Sequence, residues 1–215
     1  MIFKSDLTPY TKLNEEFVNS IKISQLPQLY RADMTFALAQ GNPQLNEMLK
    51  HFKPSGKFKY ISIDSRSHML MKGIYPCIPG WHCDDFYRPP HANGQPDLTN
   101  VEEEAPMIHH LLVIGDCSKT EFLTENIELA NCETLPKDQP AYHYYDIALE
   151  EANPKTQFIE PGTIYTFGPT CFHRGSPAQH NGWRYFIRIT ESNHYDPRNE
   201  IRYQTQVYTN GRVSW

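Results

Sequence analysis

The sequence predicts a mainly β protein, a sandwich or jelly roll with helices packed on one face. Three observations carry that expectation. The 17 prolines and 13 tyrosines among 215 residues favour strands and turns over a helical bundle. From residue 57 onward, eight short β-rich runs alternate with turn residues. Before residue 57 the pattern is helical. A chain of this length buries one substantial core and is short for two. One domain over 1–215 is therefore expected, with a helical part at 1–56 and a β core at 57–215.

The elements follow in order. Helices are predicted over 13–23, 29–40 and 43–52, the last opening with Pro43 in a helix-start position. The predicted strands are FKYISID (58–64), SHMLMKGIY (67–75), IHHLLVIG (108–115), TEFL (120–123), AYHYYDIAL (141–149), TIYTFG (163–168), WRYFIRIT (183–190) and IRYQTQVYT (201–209). Two loops separate them, 135–140 and the long polar stretch 89–106. The second is positioned either as a lid or as an ordinary surface insertion.

Composition narrows the function. Hydrophobic residues at 39% and aromatics at 13% exclude a disordered chain. A net charge of -5 without a basic block gives no strong nucleic-acid signal. The opening MIFKSDLTPYTKLNEEF has no apolar signal core, and no run reaches membrane-spanning length. Five scattered cysteines lack Cys-x-x-Cys spacing. A reduced, soluble, cytoplasmic protein is expected. Oligomeric state is not readable.

The chemistry begins in GWHCDDFYR, residues 80–88. If WHCDDFY is extended, His82 and Asp84 point to one face and Cys83 to the other. An imidazole and a carboxylate so placed offer two ligands to one ion, and one further histidine would complete the 2-His-1-carboxylate face of non-haem iron. His173, in PGTIYTFGPTCFHRGSPAQHNGWRYFIRIT, is the candidate. Asn181-Gly182 reads as a hairpin signal, so the His173 segment is expected to pair antiparallel with WRYFIRIT. In that register His173, Thr190, Arg188, Phe186 and Arg184 share a face. Two buried arginines beside a histidine call for an anion. Arg184 suits the far carboxylate of a ligand that chelates the metal, and Arg188 reaches something beside it.

His82, Asp84, His173 and Arg184, eleven residues after the distal histidine, together resemble the Fe(II)- and 2-oxoglutarate-dependent dioxygenases. The likeness covers roughly 58–192. It implies a double-stranded β-helix, a cupin-like jelly roll, with His82, Asp84 and His173 as metal ligands and Arg184 on the distal carboxylate of 2-oxoglutarate. It implies that O2 and 2-oxoglutarate are consumed, that succinate forms, and that a small-molecule substrate is hydroxylated. Asp84 fills the position a halogenating relative leaves for chloride. Arg188 looks like the second arginine that holds substrate in taurine dioxygenase. KTEFL resembles the family's threonine-containing strand, so Thr120 is a cosubstrate contact or a strand former. Tyr75 is a cosubstrate contact or a core tyrosine.

Trp81, Phe86, Tyr87, Arg88 and Trp183 flank the ligands and either wall a substrate pocket or fill the aromatic core. Asp85 falls on the opposite face by parity. Of His109 and His110 only one can face inward, and both read as satisfied histidines. Two rival readings remain: a jelly-roll module that binds a ligand or partner without iron, and a cupin-type metal enzyme without 2-oxoglutarate. The latter leaves both arginines unexplained.

Overall fold

The computed structural model describes residues 1–85, 106–136 and 138–209. Its elements are β1 (Ile2–Phe3), β2 (Thr8–Lys12), α1 (Glu15–Ser20), β3 (Leu29–Tyr30), α2 (Met34–Gln40), α3 (Pro43–Leu49), β4 (Tyr60–Leu70), β5 (Met107–Ile114), β6 (Thr120–Leu123), β7 (Ile127–Glu128), α4 (Ala141–Ala152), β8 (Thr156–Phe158), β9 (Thr163–Phe167), β10 (His173–Gly175), β11 (Gly182–Ser192) and β12 (Glu200–Ile201).

Two antiparallel sheets make the core. The major sheet has the order β2-β9-β5-β11-β4 and the minor sheet β10-β6-β8. An isolated bridge between His82 and His173 adds the segment around residue 82 to the free edge of β10. From β4 onward the chain visits the major sheet, then the minor at His82, then major (β5), minor (β6, β8), major (β9), minor (β10) and major (β11). That winding is a double-stranded β-helix.

Period-2 alternation decides what each face of the major sheet meets. Ile63, Leu112, Ile114, Ile164, Tyr185, Ile187 and Ile189 face outward and pack under Ala37, Leu45, Met48 and Leu49 of α2 and α3. Burying each large aliphatic side chain contributes about 1.5–3 kcal/mol. Leu111, Val113, Tyr165 and Phe167 face inward against Phe122 of the minor sheet. Helices cover both sheets, because α4 sets Tyr142, Tyr145 and Leu149 against Phe3, Trp81, Leu123 and Phe172.

Several expected elements differ. The segment 141–149 is a helix: Ala141, Tyr142, Tyr145 and Leu149 are its buried residues, a helical spacing, and Asn153 ends it in the left-handed region at φ 46°. Tyrosine content had favoured a strand there. The runs 58–64 and 67–75 are one strand, Tyr60–Leu70, and the predicted helix over 29–40 keeps only Met34–Gln40. Asn14, Asp33 and Asn42 cap α1, α2 and α3 through their side chains. The Pro161-Gly162 turn forms as expected, with Gly162 at φ 78° and Thr163 N donating to Glu160 O at 3.2 Å. The Asn181-Gly182 hairpin does not form. β10 pairs with β6 while β11 lies between β4 and β5, so residues 176–181 cross between sheets.

Candidate metal centre

The first ligand pair lies on a short stretch fixed from both sides. His82 N donates to His173 O at 3.0 Å, and His173 N returns a bond to His82 O at 2.9 Å. From the other side α4 grips the same backbone. Asp146 Oδ1 accepts from Trp81 N at 2.8 Å, and Tyr142 OH donates to Cys83 O at 2.9 Å. Trp81 Nε1 donates to Glu150 Oε1 at 3.2 Å, and the Arg174 guanidinium covers the indole at 4.2 Å. Trp81 is 2% exposed and packs among the α4 residues. It anchors the ligand stretch and does not wall a pocket.

His82, Asp84 and His173 bring one ligand atom each to within 4.8 Å of one another, so the three can hold one metal ion. The donor set fits that use. His82 Nδ1 donates to Gly80 O at 2.9 Å and His173 Nδ1 to Cys171 O at 3.0 Å. A carbonyl only accepts, so both rings carry the proton on Nδ1 and the lone pair on Nε2. Gly80, at φ 102°, takes the left-handed turn that returns its carbonyl to His82. Burial, then His173, push the His82 imidazole down to about 4, which keeps it neutral. Phe122 stacks on the His173 ring at 4.9 Å and Phe167 meets its edge at 5.3 Å. Three protein ligands leave coordination positions open.

Asp84 Oδ2 lies 3.1 Å from His173 Nε2, two lone-pair atoms turned toward one point, and pairs with Arg188 Nη1. Burial alone would raise its carboxyl. Arg188, then His173, hold it well below the usual carboxylate range. Arg188 Nη2 lies 2.7 Å from Asp85 and 3.7 Å from Asp64. Three carboxylates therefore surround the guanidinium expected to hold substrate. Asp85 departs from parity as well: its φ of 57° swings the carboxylate to Arg188 and to Thr190 Oγ1, which donates at 3.1 Å. Burial pushes Asp85 up to about 6.

Four residues along β11, Arg184 is 4% exposed. Its Nε donates to Ser118 O at 3.1 Å and its Nη2 to Thr120 Oγ1 at 2.8 Å. Among the described residues no carboxylate forms an ion pair with it. Burial lowers its pKa, and the nearby Cys77 and Cys117 thiols offset this only in part. Tyr75 is half-buried and joined through its backbone to Tyr208 at 2.8 and 3.1 Å, two residues from Cys77. Trp183 points to the outer face, beyond the helices, and is 44% exposed. Phe86, Tyr87 and Arg88, with 89–105 of the long loop, lie outside the described residues.

Two histidines of this inner face were not assigned to the site by the sequence reading, His109 because it reads as a satisfied histidine and His68 because no partner is evident for it. His109 is fully buried. Because Thr190 Oγ1 donates to Asp85, it accepts from His109 Nδ1 at 3.0 Å, and His109 Nε2 is left without a hydrogen bond. Burial, then Arg188, push its pKa well down. Its neighbour His110 points outward to Glu191 and Tyr10, at 2.9 and 3.1 Å. His68 stands opposite Arg184 in the β4–β11 register, 2% exposed. Neither ring nitrogen meets a hydrogen-bond partner in good geometry among the described residues, and the Gln206 backbone favours its charged form only weakly. Burial, then Arg184, push it down to about 3. Strand parity alone could have flagged it once β4 was aligned with β11.

No family model matches the chain, and none of the curated proteins does. Among solved structures it is similar to EvdO2 from Micromonospora carbonacea var. aurantiaca complexed with 2-oxoglutarate, at 10% identity and a TM-score of 0.42. That match covers 80% of this chain and 71% of the other. Among the described residues, no helix is long and apolar enough to cross a membrane.

Proposed function

We propose that the protein is a non-haem Fe(II)- and 2-oxoglutarate-dependent oxygenase that hydroxylates a small, anionic organic substrate. One conjunction supports this reading. A histidine-aspartate-histidine set that can share an ion stands on the same inner surface as a buried arginine, Arg184, without a carboxylate partner among the described residues. A jelly-roll binding module has no use for that pairing.

His82, Asp84 and His173 would hold the iron. Bound there, iron with 2-oxoglutarate and O2 supplies the oxidation of a substrate C–H bond to an alcohol, with succinate and carbon dioxide as co-products. The chain's own residues prepare the site. The Gly80 and Cys171 carbonyls hold both imidazoles in the tautomer that ligation needs. Arg188 keeps Asp84 ionised. Phe122 and Phe167 shield His173 from water. Arg184, oriented by Ser118 O and Thr120, receives the distal carboxylate, with neutral His68 beside it. Arg184 and Arg188 are four residues apart, roughly 13 Å along the strand. Since Arg188 touches Asp84, the far end of a five-carbon diacid falls within reach of the Arg184 side chain.

The test is aerobic incubation of the iron-loaded protein with 2-oxoglutarate, scoring succinate. Turnover is expected even without substrate, and it falls to background in His82→Ala and Arg184→Gln. Absence of succinate from the wild type, together with no calorimetric binding of 2-oxoglutarate to the Mn(II)-loaded protein, would remove the reading.

A further inference from the structure

The inner face of β4 carries a charge that the proposed reaction leaves unused. Asp64, Arg66 and His68 stand opposite Arg188, Phe186 and Arg184 of β11. Parity therefore turns Arg66 inward, between the arginine at the metal group and the arginine at the far end. Each other guanidinium on this surface has a defined role. Arg188 is held by Asp84 and Asp85, and Arg202 Nη2 donates to Asp64 at 3.1 Å. Arg184 awaits the distal carboxylate. Arg66 has neither an ion pair nor a hydrogen bond among the described residues.

Formal charges point the same way. A divalent ion and the two carboxylates of 2-oxoglutarate cancel. Asp64, Asp84 and Asp85 then face Arg184, Arg188 and Arg202, three against three. Arg66 is a fourth guanidinium with no carboxylate paired to it among the described residues. It is half-buried. Burial, then the charges of Arg202 and Arg188, hold its pKa below the usual arginine range, and Asp64 and Asp84 only partly offset them. Among the described residues the site is one negative charge short of balance, and the uncompensated guanidinium is Arg66.

We propose that Arg66 is the substrate anchor, binding the carboxylate of a small organic acid that carries one net negative charge beyond the cosubstrate. The expected role of Arg188 passes to Arg66, because Arg188 is already saturated by aspartates. The inference rests on the oxygenase reading for the location of the reaction, and its test does not depend on turnover. A planar guanidinium offers a carboxylate two parallel donors, and burial strengthens such a pair.

The experiment uses the Mn(II)-loaded protein saturated with 2-oxoglutarate. Thermal shift and then calorimetry read the binding of small hydroxy, amino and aromatic carboxylic acids, each beside its neutral amide and its sulfonate and phosphate analogues. At least one carboxylic acid should bind where its amide does not. Arg66→Gln should weaken that binding on the order of tenfold to a hundredfold, as expected for a charged hydrogen bond, and Arg66→Lys should restore part of it. 2-Oxoglutarate should bind Arg66→Gln as it binds the wild type, which also shows that the variant is folded. In the absence of any anion, Arg66→Gln should melt no lower than wild type, since it removes an uncompensated charge. Equal carboxylate binding by wild type and Arg66→Gln would overturn the anchor while leaving the oxygenase reading intact. So would binding confined to amides, sulfonates or phosphates, or no binding from the panel at all. Failure of 2-oxoglutarate to bind the wild type would instead strike the oxygenase reading.

Discussion

Arg188 and Arg184 stand on the same face of the same strand, four residues apart, and both are almost fully buried. Burial disfavours the charge of each. The outcomes are opposite. Asp84, Asp85 and Asp64 more than compensate at Arg188, and its proton is held well above the usual range. At Arg184 the partners are a carbonyl and a hydroxyl, and the pKa falls. A buried guanidinium among carboxylates is a finished piece of architecture that also fixes a metal ligand. One bonded only to neutral oxygens is a receptor in want of an anion.

The contrast can be broken most forcefully at Arg188. Arg188→Met strips Asp84 and Asp85 of their cation and leaves Asp64 only Arg202, and breaking a buried ion pair from one side costs about 3–5 kcal/mol. Urea denaturation of the ligand-free protein measures the loss. A cost below about 1 kcal/mol would mean that the aspartates do not depend on this arginine.

A smaller effect lies at the other end, in the pH response. His68 stays neutral in the fold, its pKa down at about 3 against an ordinary 6.5. The unfolded chain therefore binds a proton that the folded chain refuses. The contribution is fully present above pH 6.5 and is lost as pH falls toward 3. Within that window one proton of difference changes stability by about 1.4 kcal/mol per pH unit. In ligand-free protein, His68→Gln should flatten the acid limb of the stability curve by that slope. An unchanged limb would mean that His68 takes up its proton without unfolding.

Arg184→Met sharpens the comparison from the opposite side. It removes a buried charge with no ionic partner but strands Ser118 O and Thr120, so ligand-free stability should move by no more than about 1 kcal/mol. Calorimetric binding of 2-oxoglutarate should nevertheless disappear. A stability loss as large as that of Arg188→Met would make Arg184 structural, and the two ends of the strand equivalent.

What the sequence made legible follows from strand parity. Residues 184, 186, 188 and 190 share a face whichever strand lies alongside, so the inner set emerged even though the assumed partner, the His173 strand, was wrong. The spacing of His82, Asp84 and His173 was equally readable, and the three do meet. The hairpin reading failed because Asn181 serves another end, accepting from Lys72 N at 2.9 Å through its side chain, while Gly182 simply begins β11. Asp85 failed because a single left-handed residue cancels alternation. The grip of α4 on the ligand stretch stayed hidden for a different reason. Tyr142, Asp146 and Glu150 sit in a tyrosine-rich run whose composition favours strand, and only the four-residue spacing of its buried positions marks a helix.

The smallest expected effect tests the parity argument itself. Trp183 adjoins Arg184 in sequence, which leaves it either walling a substrate pocket or filling the aromatic core. It is turned to the outer face, opposite Met69 in the β4–β11 register, and 44% of it is exposed. One position along a strand separates a buried receptor from an exposed flank. Trp183→Ala should therefore change stability by about 0.5 kcal/mol or less, with 2-oxoglutarate affinity and succinate formation unchanged. A tenfold fall in either would require the side chain at 183 to reach the inner face. That is possible only if β11 were slipped by one residue, which would also turn Arg184 and Arg188 out of the core and dissolve the contrast between them.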